Sequence, residues 1–184
     1  MHRVAELLLL HCFGRQPYWL LQGWAWHVEM TLCKDVYCFP YRAEFVWASE
    51  HTGWDKALRD YVEATKESEL SISDIAALQR GGWQDRGAKL AWGSVLFLDR
   101  NRAPALAQVL EDLRLAWDAG SRRDLGNGQW ERVAGFEVSP ADQSAIFVRH
   151  AGQAFWPELT RFFRDGSATP TAHPPSKQGM RRGH

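Results

Sequence analysis

The stretch QGWAWHVEMTLCKDVYCFPY, Gln22 to Tyr41, decides the fold. It holds two tryptophans, two cysteines, a histidine and a glutamate, so a metal site, a membrane-seeking segment and a piece of sheet all compete for it. From Trp24 the residues alternate. Trp24, Trp26, Val28, Met30 and Leu32 fall on one side, and Ala25, His27, Glu29, Thr31 and Cys33 on the other. Period two predicts a strand with one buried face. With Lys34-Asp35 as the loop of a hairpin, Leu32 faces Tyr37, Met30 faces Phe39, Val28 faces Tyr41, Trp26 faces Ala43 and Trp24 faces Phe45. A slip of one residue would set apolar groups against polar ones throughout. Pro40 cannot donate to a ladder and marks an edge strand.

That register argues against metal. Cys33 and Cys38 would sit diagonally, about 7–8 Å apart, and His27 would lie about 20 Å from Cys33 along the strand. One zinc cannot take both. Alternation with charges also argues against a membrane segment, and no metal or other cofactor is expected.

The remaining elements follow from local patterns. RVAELLLLHCF (3–13) reads as a short buried helix; its run of four leucines is far short of the roughly 20 residues of a membrane span. No signal peptide is evident, and Met30 as a start would cut the strand in half. Thr52 and Asp55 fit a capping box for a helix with Trp54, Leu58, Tyr61 and Val62 on one face. SISDIAALQRGG (71–82) predicts a second short helix stopped by glycines, and the apolar run around 90–98 a buried strand. Asn101 would cap a long helix carrying Pro104 in its first turn and ending at Gly120. RRDLGNGQ (122–129) reads as a loop, and WERVAGFEV with SAIFVRH as a second hairpin, Phe136 near Ile146 and Ala134 near Val148. A last helix covers AFWPELTRFFRDG, 154–166. The expected fold is α+β: a mostly antiparallel sheet of about five strands, two hairpins plus one strand, with helices packed on it. Residues 1–165 form one domain on this reading, and 166–184 a weakly basic, disordered tail.

Composition narrows function. The chain has 184 residues, 45% hydrophobic and 24% charged, with ten tryptophans and zero net charge. Segment 44–74 holds eight acidic and three basic residues, while the tail holds three basic and none acidic. No strong basic footprint is present, so nucleic acid is not an expected partner. Arginine outnumbers lysine seventeen to five, which reads as the codon usage of a GC-rich bacterium. The odd set Cys12, Cys33 and Cys38 reads as reduced cytoplasmic thiols, with Cys12 buried.

Catalytic motifs are absent: there is no GxxxxGK[ST], HExxH or CxxC, and AWGSVLF around Ser94 lacks the second glycine of a nucleophile elbow. QRGGWQDRGA (79–88) has the glycines of a phosphate-cradling turn but follows a helix and precedes a strand, so it reads as a helix stop. His11 and Cys12 are helix neighbours and do not face each other. Two readings remain. The first is a non-catalytic protein-binding module that recognises, and neutralises, a partner with a basic surface, as immunity proteins and inhibitors do. Its contact residues would be Trp47, Glu50, Asp60, Glu63, Glu67 and Trp83, with Glu44, Glu69 and Asp74 continuing the acidic surface. The alternative is a small enzyme with its site near Asp99 or His150.

Overall fold

Helix, not strand, is what the Gln22 stretch forms in a computed structural model that describes residues 1–43, 46–65, 71–77 and 83–165. Helix α1 spans His2–Phe13, and α2 spans Tyr18–Cys33. The α2 residues that go inside are Trp19, Leu20, Gln22, Gly23, Ala25, Trp26, His27 and Glu29. They recur at three- and four-residue steps, the helical period. His27 and Glu29, which alternation turned outward, are buried, whereas Leu32 is exposed. The first hairpin is therefore corrected to a helix followed by a coil segment. That segment is pinned where Val36 donates to the His51 carbonyl at 3.2 Å. Trp26 is fully buried and gathers Tyr41, Trp54 and Trp83 around it at ring distances of 5.9, 5.5 and 6.0 Å.

After the short 3-10 turn Ala48–Glu50 come α3, Trp54–Ala64, and α4, Ile72–Ala76. Both helices fall in the expected segments, while Gly81 and Gly82, the expected stop of the second, lie outside the described residues. Gly53, not Thr52, is the N-cap of α3, and no side chain caps it.

The expected strand at 90–98 is part of α5, Asp85–Gly120. Every residue from Leu90 to Leu98 is buried. A helix covered on all sides loses its polar stripe and reads as a bare apolar run, which periodicity cannot tell from a strand. The backbone leaves helical angles at Arg102 (φ −146°, ψ 44°), two residues before Pro104. Pro104 has no amide hydrogen, and its ring crowds the carbonyl one turn back. The Arg102 side chain holds the bend by donating to the Ala151 carbonyl and to Glu158.

The segment expected to be a loop carries the strands. β1, Arg122–Gly126, pairs antiparallel with β2, Gln129–Arg132, with Arg123 opposite Glu131 and Asp124 opposite Trp130. Gly126, Asn127 and Gly128 all have positive φ, the conformation these residues adopt at least cost. The second expected hairpin is replaced by α6, Pro140–Ala151, whose N-cap Ser139 accepts from the Asp142 amide. Ser-Pro-Ala-Asp is thus a helix start, with proline in the first turn. Helix α7, Phe155–Arg164, ends the described chain, and the expected tail lies outside the described residues.

The architecture is accordingly a helical assembly with one small hairpin, not an α+β sheet of five strands. Helices α2 and α5 lie at its centre. Gly23 lets their backbones meet: a Cβ there would stand 2.6 Å from the Ala91 carbonyl oxygen. The Phe147–Phe155 rings, 4.7 Å apart, join α6 to α7. Arg59, donating to the Phe163 carbonyl at 2.9 Å, ties α3 to α7. Among the described residues no helix is long and apolar enough to cross a membrane.

Candidate functional site

Helix α1 packs on α2 through a polar seam. One His2 ring nitrogen, Nε2, lies 2.9 Å from the Gln22 side-chain oxygen, and the other, Nδ1, lies 3.2 Å from Glu29. Gln22 donates to Glu6 at 2.5 Å, and Arg3 donates to the other Glu6 oxygen at 2.6 Å. Its Nε2 is thus committed to Glu6, which leaves its oxygen to accept from His2. His2, Glu6, Gln22 and Glu29 are all 5% exposed or less. Each buried polar group has a partner, as burial requires. The coil after α2 closes one end. The Cys38 carbonyl accepts from Trp26 at 2.8 Å, and burial, reinforced by Glu29, pushes the Cys38 thiol pKa up.

The opposite face of α1 is uncovered and mostly apolar, with His11 in its last turn. Val4, Leu7 and Leu8 are 53%, 65% and 58% exposed, with Met1 beyond them. Leu32, 60% exposed, lies one turn past Glu29 and so at the same end as His2. Solitary surface leucines are ordinary; here Val4, Leu7 and Leu8 share one exposed helix face. The expected buried helix is therefore half right: it is a helix, but of its four leucines only Leu9 is buried. Cys12, expected inside, is exposed.

Both residues of the enzyme reading belong to histidine–aspartate pairs. Asp99 is on α5, not at a strand end, and lies 3.0 Å from His27 Nε2 on α2. The hydrogen bond to His27 holds the Asp99 carboxyl below its ordinary range. His150, near the end of α6, lies 2.8 Å from Asp112, which Arg149 also contacts at 3.1 Å. That bond likewise lowers Asp112. Among the described residues neither imidazole contacts a hydroxyl or thiol nucleophile, and no group of three His, Cys, Asp or Glu side chains converges as metal ligands would.

The proposed contact residues separate in space and in role. Trp83 is 5% exposed and packs edge-on with Tyr18 at 5.2 Å, so it is a core residue and not an anchor. Glu50 accepts from Arg42 and from the Trp47 amide, bonds that lower its pKa. Trp47 is 69% exposed. On α3, Asp60 and Glu63 face solvent, and Asp60 pairs with Lys56 at 3.0 Å. Glu67, Glu44 and Glu69 lie outside the described residues.

A cleft of about 710 Å³ opens between the α1–α2 turn and the start of α6. Arg15, Gln16, Trp19, Trp117, Glu137 and Gln143 are among the residues that line it. The sequence reading missed both this cleft and the seam. For the seam a signal was present: His2 and Glu6 are four apart, on the face that also carries Ala5 and Leu9. For the cleft there was none, because its walls come from four separate segments. Comparison with protein-family models, with curated proteins and with solved structures found no match.

Proposed function

We propose that the protein is a non-catalytic binding module that recognises another protein through the outer face of α1, and neutralises that protein by covering it. One observation carries this reading: α1 buries His2 and Glu6 while exposing Val4, Leu7 and Leu8. A partner groove that accepts apolar side chains at i, i+3 and i+4 would complement it. Asp55, Asp60 and Glu63, exposed on α3, would speed the approach of a basic partner without supplying most of the affinity.

The test compares the wild-type chain with Leu7→Glu/Leu8→Glu and with Asp60→Lys/Glu63→Lys as baits in the native host. These side chains are exposed, so all three proteins should melt alike. The wild type should retain a protein that the leucine variant does not, and that protein should bind the charge variant with a slower on-rate. A retained protein indifferent to Leu7 and Leu8 removes α1 as the contact, and a wild-type chain that captures only itself makes this a dimer face instead.

The enzyme alternative has the His27–Asp99 pair in its favour, since a carboxylate orienting an imidazole is the arrangement of a general base. Neither that pair nor His150 lines the 710 Å³ cleft, and Asp112 opens onto a shallow groove beside Leu115 and Ile146. Binding is thus the reading the geometry favours.

A further inference from the structure

We propose that the cleft between the α1–α2 turn and α6 binds a small amino-carboxylate: a free amino acid, or a molecule with the same carboxylate and adjacent N–H donor. Helix α2 opens onto this cleft at Pro17, Tyr18 and Trp19. Pro17 is its N-cap, no side chain caps the helix, and its first turn carries no acidic residue. The Trp19 amide donates to no group among the described residues. A helix start of this kind attracts an anion through its amides and its dipole. The other helix start on the cleft is already served, because Ser139 accepts from the Asp142 amide at 3.1 Å. Arg15 stands beside the α2 start. It lies 5.7 Å from the Trp117 ring centre and, among the described residues, forms no ion pair with a carboxylate. A ligand carboxylate placed here would meet both the helix amides and a guanidinium.

The second, independent feature is Gln16. It is 7% exposed, and its amide nitrogen donates to the Phe13 carbonyl at 2.7 Å and to the Leu110 carbonyl at 3.0 Å. Those two acceptors fix the orientation of the side chain. Its oxygen is then left with no donor among the described residues, although the residue lies in the cleft lining. A buried acceptor without a donor is costly, and an N–H from a ligand relieves it. Glu137, exposed on the facing wall, suits the positive charge of an ammonium. Two side chains of the floor are engaged with each other, since Gln143 accepts from Trp19 at 3.0 Å, and Gln143 also donates to the Val138 carbonyl at 2.7 Å. A carboxylate next to an N–H therefore matches the α2 start with Arg15 and the Gln16 oxygen, and the Trp19 and Trp117 rings leave apolar wall for a side chain.

Titration calorimetry of the full chain with each free L-amino acid in turn, and with acetate and methylammonium separately, tests this. At least one amino acid should bind saturably and more tightly than either half alone. Arg15→Gln and Glu137→Gln, both at exposed positions, should each weaken that binding by about tenfold with no change in melting temperature. The proposal is overturned if no amino acid binds, if acetate binds equally well, or if Arg15→Gln leaves the affinity unchanged. The leucine variant of α1 should bind the same ligand normally, so this result and the partner-capture result are separable.

Discussion

Gly23→Ala separates the helical fold from the hairpin that alternation suggests. In a helix, alanine is preferred over glycine by about 1 kcal/mol, so propensity alone favours the substitution. Packing opposes it. The new Cβ would lie 2.6 Å from the Ala91 carbonyl oxygen, 2.9 Å from its carbon and 3.1 Å from a Val95 methyl. Attractive carbon contacts sit near 3.5–4.0 Å. Two of these three neighbours are backbone, in a stretch of α5 buried on all sides, so no side chain can rotate away. The helices must part by several tenths of an ångström along their central contact. Overpacking of this kind costs about 1–3 kcal/mol, and a clash with backbone belongs at the upper end. The net effect is a loss of about 1–2 kcal/mol. At about 2–4 °C per kcal/mol for a chain of this size, melting should fall by roughly 2–8 °C. Thermal unfolding followed by far-ultraviolet circular dichroism measures it, with Leu7→Ala as the surface control that should melt like the wild type. Under the hairpin reading Gly23 precedes the strand in open space, and alanine there would leave melting unchanged or raise it. A rise would refute the close crossing of α2 and α5.

His2→Ala should cost about 3 kcal/mol or more in urea unfolding, because it strands a buried Glu29 carboxylate and the Gln22 oxygen; Arg3→Ala, on the exposed arm of the same network, should cost under about 1 kcal/mol. Asp99→Asn should show a pH dependence with a definite sign. The Asp99 carboxyl is held below its ordinary 3.8 by the hydrogen bond to His27, so its stabilising contribution is present above that value and lost as pH falls through the folded one. The variant should be less stable than the wild type at about pH 5 and indistinguishable from it at about pH 2, and a gap that persists at the lower pH would dissociate Asp99 from the effect.

Elements with one buried face were legible from sequence. Helices α3 and α7 each show a single apolar stripe, Trp54–Leu58–Val62 and Phe155–Leu159–Phe162–Phe163, and both stand as expected. The elements at the centre were not legible, for the opposite reason. Helix α2 is covered by α1 on one side and α5 on another, so its sequence carries no polar stripe to fix the period. The alternation of Trp24, Trp26, Val28, Met30 and Leu32 is real as spacing, but Trp26 is fully buried while Leu32 is exposed, and no strand face divides them that way. Ser139-Pro140 suits a turn because those residues favour turns, yet Ser139 with Asp142 is equally an N-cap signature, and the capping bond decides it. The Gly126-Asn127-Gly128 turn carries the reverse lesson: Asn-Gly is a strong hairpin signal, yet the flanking residues are exposed and charged and show no alternation. Asp99 and His150, the candidates of the enzyme reading, are each half of a histidine–aspartate pair. Their partners, His27 and Asp112, lie 72 and 38 positions away, beyond any local pattern.

The orientation of α1 joins fold to function. By burial alone the helix would turn half a revolution, hiding Val4, Leu7 and Leu8 and exposing His2, Glu6, Ala5 and Leu9. Fully burying three aliphatic side chains is worth at most about 5–9 kcal/mol, of which about 2–3 is given back by exposing Leu9. The turn would also leave Glu29 and Gln22 on α2 buried without His2 and Glu6, at a cost of about 3–5 kcal/mol for a broken buried pair. The two arrangements thus come within a few kcal/mol of each other, and the polar seam tips the choice toward the one with leucines outside. A core optimised for the isolated chain would have no use for such a seam, since apolar residues at positions 6, 22 and 29 would pack at least as well. A docked partner changes that comparison. Under the proposed function it would cover Val4, Leu7 and Leu8 while every seam bond stays in place, so that the apolar burial forgone in folding would be recovered in binding.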